Sequence, residues 1–380
     1  MVLFHLSKTL QSPMYFFITQ LSLFDIILTT DILPNLLYII LHDGCTMSLA
    51  ECIIQFSFFA NAEVSECFLL TLMSYDRIFQ DMTNISYVFL LGFPNIHGYS
   101  ILLFAFLLVF YCFTICGNCI IIILVSISKN LHLPMYFFIT QVSLLDILMS
   151  SDIVPNLLYI VLNEGGTMNL VACISQFYVF ANSESAECLI LTIMSYDRYV
   201  AVCNPLRYHS IINKSFCLVS VLAAWISSFL MVGMNAATTF KLEFCGSNIV
   251  DHFFCDFTPI LDISCSDISV LQSQTILICI IVIICPFILI TISYFCIISA
   301  ILKIQSNTGR QKAFSTCSSH LTVVCIFFGT LFFVYMVPTK GDLLATSKIL
   351  SLLYTIVIPL LNPFIYSLRN QDFKKAFDVL

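Results

Sequence analysis

Residues 134–162 read PMYFFITQVSLLDILMSSDIVPNLLYIVL. Asp146 and Asp152 are the only charges in that run. About 20 predominantly apolar residues are enough to carry a helix across a bilayer. Pro155 does not exclude a helix, because neighbouring groups in a membrane bundle re-satisfy the carbonyl that a proline frees. The same holds for Pro286, Pro359 and Pro363 in other apolar runs. Working outward, comparable runs lie near 99–127, 171–196, 216–240, 271–302, 319–338 and 349–368. With 135–162 they make seven spans from residue 82 onward.

Composition agrees with this reading. Of 380 residues, 59% are hydrophobic and only 10% charged, whereas soluble domains carry about a quarter charged residues. So few charges cannot cover a surface in water, so the chain is a polytopic membrane protein embedded in lipid. The net charge of −7 is modest, and no basic block offers itself to nucleic acid. The start, MVLFHLSKTLQSPMYFF, has no short polar cleavage region, so insertion is expected to rely on the first span itself.

The opening stretch also occurs a second time. Residues 13–41 read PMYFFITQLSLFDIILTTDILPNLLYIIL, and SYDRIF at 74–79 mirrors SYDRYV at 195–200. The offset is 121 residues without a gap, and about 45 of 71 paired positions from Ser7 to Arg77 are identical. A single copied block gives this pattern; short-period solenoid repeats do not. Two units follow: a copied fragment, 1–81, holding an extra two-helix hydrophobic hairpin near 14–41 and 50–76, and a seven-span core, 82–380.

Charge sets the expected orientation. With residue 82 outside, the inner loops hold Lys129, Arg198, Arg207, Lys214, Lys303, Arg310, Lys312, Arg369, Lys374 and Lys375, against Lys241, Lys340 and Lys348 outside. The core N-terminus is therefore expected outside and the C-terminus in the cytoplasm. Asn84-Ile85-Ser86 is a glycosylation sequon on the side where such a site is usable. The hairpin conflicts with this arrangement. Lys8 and Arg77 put both its flanks inside, yet Asn84 must lie outside a few residues later. Residues 1–81 are accordingly expected to be dispensable and harmful, and Met82 looks like the natural start.

Acids inside membrane helices are costly and usually face the bundle interior. Asp146 and Glu187 sit at a depth comparable with Asn118 and Asn362. Two close carboxylates cannot both ionise cheaply without a cation or proton between them; the alternative is a hydrogen-bonded polar cluster that fixes packing. Glu184, one turn before Glu187, is a candidate to face a ligand. Asp197-Arg198-Tyr199 ends the third span, where an arginine with an adjacent acid can hold an ion pair and release it; snorkelling arginines are also common at such ends. Cys173, Cys245, Cys255 and Cys265 fall on the oxidising side and permit three pairings. His252, Cys255 and Asp256 are metal-like in type, but a disulfide-bonded Cys255 could not ligate. Most other cysteines read as small buried hydrophobes.

Several motifs together resemble one family. They are Gly117-Asn118 in the first span, PMYFF with Asp146 in the second and MSYDRYVAVCNPLRY (194–208) at the end of the third. Ser293-Tyr294 closes the fifth, KAFSTCSSHL (312–321) opens the sixth, and PLLNPFIYSLRN (359–370) ends the seventh. From Met82 to Leu380 the chain resembles vertebrate odorant receptors, within the rhodopsin-like G-protein-coupled receptors. The third- and sixth-span motifs are close to diagnostic.

That resemblance implies an all-α, seven-transmembrane bundle in the plasma membrane. It implies binding of small volatile molecules and activation of a stimulatory heterotrimeric G protein that raises cAMP. It further implies disulfides Cys173–Cys255 and Cys245–Cys265, and a sodium-type site at Asp146, Glu187, Asn118 and Asn362. The G-protein switch it implies is made by Asp197, Arg198 and Tyr199 with Tyr294 and Tyr366. An apolar cleft suits such ligands, with Phe177, Phe180, Ala181, Glu184, Phe328, Phe332 and Tyr335 as candidate lining or as ordinary packing. Phe328 departs from the family pattern, where a tyrosine is usual. The competing readings are a transporter or channel relaying protons through Asp146 and Glu187, and a non-functional gene-fusion product. The core has no inverted repeat of the transporter kind. No nucleophile–base constellation, phosphate loop or zinc spacing supports an enzyme.

Overall fold

The computed structural model describes residues 85–94, 98–245, 247–303, 306–336, 344–369 and 373. The copied block 1–81 and Asn84 lie outside them. Seven long helices occur among the described residues. They are α1 (Ser100–Ile127), α2 (Pro134–Asn163), α3 (Leu170–Cys203), α4 (Lys214–Thr239), α5 (Ser269–Leu302), α6 (Asn307–Met336) and α7 (344–369).

Their ends follow local chemistry. Pro134 opens α2, where its missing N–H costs nothing. The Asn169 side chain accepts from the Val171 N–H at 2.8 Å to cap α3, and Asn213 caps α4 through the Phe216 N–H at 2.8 Å. Inside α5 the backbone widens to a π-type turn over Ile280–Ile284, just ahead of Cys285-Pro286. A second such turn, Leu353–Val357 in α7, directly precedes Ile358-Pro359. Each proline lacks the N–H that the carbonyl four residues earlier needs, and the looser turn absorbs the mismatch.

α3 runs seven residues past the expected 196, and α6 begins twelve before the expected 319. Apolar composition marks only the part of a helix that needs lipid, whereas backbone hydrogen bonding continues through YDRYVAVC and NTGRQKAFSTCS. By length and composition, five helices suffice to cross a membrane: α1, α2, α4, α5 and Lys348–Tyr366 of α7. α3 and α6 are more polar. α3 tolerates this because it lies in the middle of the bundle, packed against α2, α4, α5 and α6. Its Glu184, Glu187 and Asp197 are all buried. α5 instead turns Ile276, Leu277, Ile281, Phe287, Ile292 and Phe295 outward, as a lipid-facing helix must.

One end of the bundle carries a small cap that the apolar-run reading did not foresee. β1 (Tyr87–Leu90) pairs antiparallel with β2 (Gly166–Asn169), from Tyr87 opposite Asn169 to Leu90 opposite Gly166. It also pairs in parallel with β3 (Ile249–Val250). The turn entering β2 needs Gly165, at φ +130°, because a Cβ there would meet the Phe89 ring at 2.5 Å. Val88, Leu90, Ile160, Phe177, Phe244 and Val250 make a second apolar core beneath the cap.

Candidate functional site

The long loop between α4 and α5 is folded down as a lid on that same end. Cys173 at the start of α3 is bonded to Cys255, with Cα atoms 5.3 Å apart, and Cys245 to Cys265 within the lid, 5.9 Å apart. One turn beyond Cys173, Gln176 accepts the Cys255 N–H at 3.0 Å and donates to the Asp152 carbonyl at 3.0 Å. It thereby joins lid, α3 and α2, a role that no sequence motif signals.

Lys348 at the head of α7 is only 5% exposed. It donates to the Gly92 carbonyl at 2.8 Å and pairs with Asp251 of the lid at 2.5 Å. Beside it His252 is buried against Phe253 and Phe254, ring centroids 4.7 and 4.8 Å away. Burial first, and then the Lys348 charge, push its pKa down to about 3. The sulfur of Cys255 is committed to its disulfide, so His252, Cys255 and Asp256 do not form a thiolate metal site.

Midway along the bundle, three of the four expected polar residues meet. Asn362 on α7 donates to both carboxylate oxygens of Asp146 on α2, each at 3.1 Å, and to Oε1 of Glu187 on α3 at 3.4 Å. Two carboxylates thus share one amide, and all three residues are buried. Asn118 is not a direct partner of the acids. Its amide reaches the carbonyls of Thr114 at 3.0 Å and Pro359 at 3.2 Å, and its Oδ1 has no hydrogen-bond partner among the described residues. The oxygens of Asp146 and Glu187 are hard donors of the type sodium prefers, and the site fits such an ion or a shared proton.

At the opposite end of the bundle from the lid, Arg198 reaches Oδ2 of Asp197 from Nε at 2.9 Å and from Nη2 at 2.6 Å. The Tyr208 hydroxyl donates to the other oxygen of Asp197 at 2.7 Å. Asp197 is fully buried, so its three hydrogen bonds, two from Arg198 and one from Tyr208, compensate the lost hydration. Tyr208 lies inside the quoted third-span motif but was not singled out from it. Tyr294 on α5 lies 2.7 Å from Nδ1 of His320 on α6 and 3.3 Å from the Cys317 carbonyl, not on Arg198. Tyr366 is buried, and its hydroxyl has no partner among the described residues. Tyr199 is half-buried and stacks on Tyr196.

Of the expected pocket residues, Phe177, Phe180, Glu184 and Phe328 are buried and Ala181 is half-buried. Phe177 leans on Phe257 of the lid, and Phe180 touches Phe254 and Tyr354. Phe332 is a correction: it is 58% exposed. The buried stripe of α6 runs through Val324, Phe327, Phe328 and Leu331. At 3.6 residues per turn, Phe332 falls off the edge of that stripe. The side chain of Tyr335 lies outside the described residues.

A seven-helix bundle with a disulfide-pinned lid at one end and a buried Asp-Arg pair at the other defines a rhodopsin-type membrane receptor. Comparison with known families narrows this. A family model described as olfactory receptor matches residues 104–379, and one described as 7 transmembrane receptor (rhodopsin family) matches residues 1–88. Human olfactory receptor 6B2 is 40% identical over 297 residues, covering 78% of this chain and 95% of the relative. Mouse olfactory receptor 5G9 is 41% identical over 301 residues, 79% and 95% of the two chains. Human olfactory receptor 5A1 is 42% identical over 294 residues, 77% and 93%. The chain belongs to the olfactory receptor family, and as such is a signalling receptor and not an enzyme.

Proposed function

We propose that this chain is an odorant receptor of the plasma membrane that binds small volatile molecules beneath the lid and activates a stimulatory heterotrimeric G protein, raising cAMP. The observation that carries the reading is the Asp197–Arg198–Tyr208 cluster, placed at the far end of the bundle from Glu184 and the lid. A ligand at one end and a guanidinium releasable at the other are the two sites that a receptor has to couple. In this reading the Arg198 end faces the cytoplasm, the lid and Asn84 face outward, and Asn84 is glycosylated. Asp146 and Glu187 would hold a sodium ion or share a proton beneath the ligand. Glu187→Gln should then change the sodium or pH dependence of basal signalling.

The receptor unit in this reading is 82–380, with 1–81 a copied fragment that signalling does not require. The test is to express the full chain and Met82–Leu380 side by side, scoring Asn84 glycosylation, surface density and cAMP against a volatile library. The shorter chain is expected to do at least as well on all three. Glycosylation and signalling by the full chain alone would make the hairpin a working part.

A further inference from the structure

We propose that Lys348 bolts a gate: the lid segment 249–254, hinged at Cys255, opens from α7 and from the tail of β1 when the bolt lets go. The inference rests on the reading that ligands bind beneath the lid, and it names the door they pass. Lys348 joins three segments distant in sequence. Its ammonium donates to the Gly92 carbonyl at 2.8 Å, 256 residues away, and to Oδ1 of Asp251 at 2.5 Å, 97 residues away. The two sides of the lid are tied differently. Toward α3 the tie is covalent, through Cys173–Cys255, and Gln176 holds the Cys255 N–H. Toward α7 it consists of the Lys348 contacts and the Phe254 ring against Tyr354, centroids 6.5 Å apart. The α3 side is therefore the hinge, and the α7 side is the one that can part.

The rest of the closure is slight in hydrogen bonds. β1 and β3 pair over two residues, and beyond them the Leu91 N–H donates to the Val250 carbonyl at 3.0 Å and the Gly92 N–H to the His252 carbonyl at 3.1 Å. Strands this short do not hold by themselves. Phe93 stacked on Phe253 at 5.4 Å, and the full burial of Phe253 and Phe254, weigh toward the closed state. The open state is therefore rare, and Lys348 sets how rare. The bolt is also asymmetric. The Lys348 ammonium is buried, whereas the Asp251 side chain is 45% exposed. A buried cation is costly without acceptors, while Asp251 regains water as soon as it leaves. A pair that reaches water on one side is also open to screening by salt.

The test is backbone hydrogen exchange on the full chain in lipid nanodiscs, which reads rare local opening. Lys348→Met keeps the unbranched stem without the charge. Asp251→Asn keeps the size at a half-exposed position and serves if Lys348→Met does not fold. Losing a charged hydrogen bond shifts an opening equilibrium by about tenfold or more. The Leu91 and Gly92 amides should exchange faster by about that factor in Lys348→Met, and by a smaller one in Asp251→Asn. The Cys265 N–H, bonded to the Glu243 carbonyl at 2.9 Å beyond the hinge, is the control and should not change. Salt at about 1 M should speed the wild-type exchange and leave Lys348→Met where it is. In cells, cAMP evoked by the volatile library should fade faster after washout in Asp251→Asn. Wild-type exchange at Leu91 and Gly92 in both variants, or matched acceleration at Cys265, would overturn the inference. So would an unchanged fading rate in a variant whose lid opens faster. A chain that shows the exchange pattern but raises no cAMP with any volatile keeps the gate and defeats the receptor reading. A cAMP response with no effect of either variant on exchange does the reverse.

Discussion

Asn118 on α1 donates its side-chain amide to the carbonyl of Pro359 on α7, at 3.2 Å. That carbonyl is the one orphaned by Pro363, which has no N–H to offer four residues on. The adjacent Gly117 lets the helices close: a Cβ there would sit 3.1 Å from the Pro363 ring. Asn362, held between these prolines, is thereby fixed over Asp146 and Glu187. The pair Gly117-Asn118 thus positions the acid site from outside it.

Removing that support should cost stability before it touches ligand contacts. Asn118→Ala leaves a buried carbonyl unpaired, a loss of about 1–3 kcal/mol. We expect a lower unfolding midpoint and reduced surface density with ligand potency preserved in the molecules that reach the surface. Gly117→Val should be worse, since it wedges α1 from α7. An unchanged midpoint in both variants would refute this account.

Cys173→Ser should abolish surface delivery. The Cys173–Cys255 bond closes a separation of 82 residues, against 20 for Cys245–Cys265. Chain entropy makes the longer closure the more stabilising by about 1 kcal/mol. Cys245→Ser is therefore expected to be the milder of the two. Surface staining of live cells ranks them, and normal staining of Cys173→Ser would contradict the prediction.

At the opposite end, Arg198→Ala should leave a folded receptor that no longer raises cAMP, because the guanidinium is the releasable part. Tyr208→Phe removes one of the bonds holding Asp197, and charged hydrogen bonds are worth about 1.5–3 kcal/mol. If the Asp197–Arg198 pair is the resting lock, Tyr208→Phe should raise basal cAMP without ligand. Full ligand-evoked signalling from Arg198→Ala defeats the scheme.

His252 makes the lid sensitive to acid. Its pKa falls from 6.5 to about 3 on folding, so between those values the unfolded chain binds a proton that the folded lid refuses. Stability therefore drops as pH falls through that window, by about 1.4 kcal/mol per pH unit once well below 6.5. His252→Phe, which keeps the ring packing, should flatten that part of the pH profile of the unfolding midpoint. A profile identical to wild type would place the acid sensitivity elsewhere.

The class of fold was legible in the chain because lipid imposes a rule that composition records directly. A segment that crosses it must be apolar and helical, so PMYFFITQVSLLDILMSSDIVPNLLYIVL could be placed by inspection. The motifs around Asp146, Asp197-Arg198 and Asn362 were equally visible, as was the conflict between the copied block and Asn84. What only the tertiary structure decided is who touches whom across helices. Asn118 serves a proline-orphaned backbone carbonyl instead of the acids, Phe332 turns away from the core, and Gln176, Tyr208 and Lys348 hold parts together that lie far apart in sequence. Burial within a helix follows its rotation and its neighbours, and hydrogen bonds between helices depend on positions of a few tenths of an ångström. Neither quantity is carried by residue type or spacing along one chain. The β1 cap shows the same limit, since strands of four residues or fewer gain their stability only from partners brought up by the bundle beneath them.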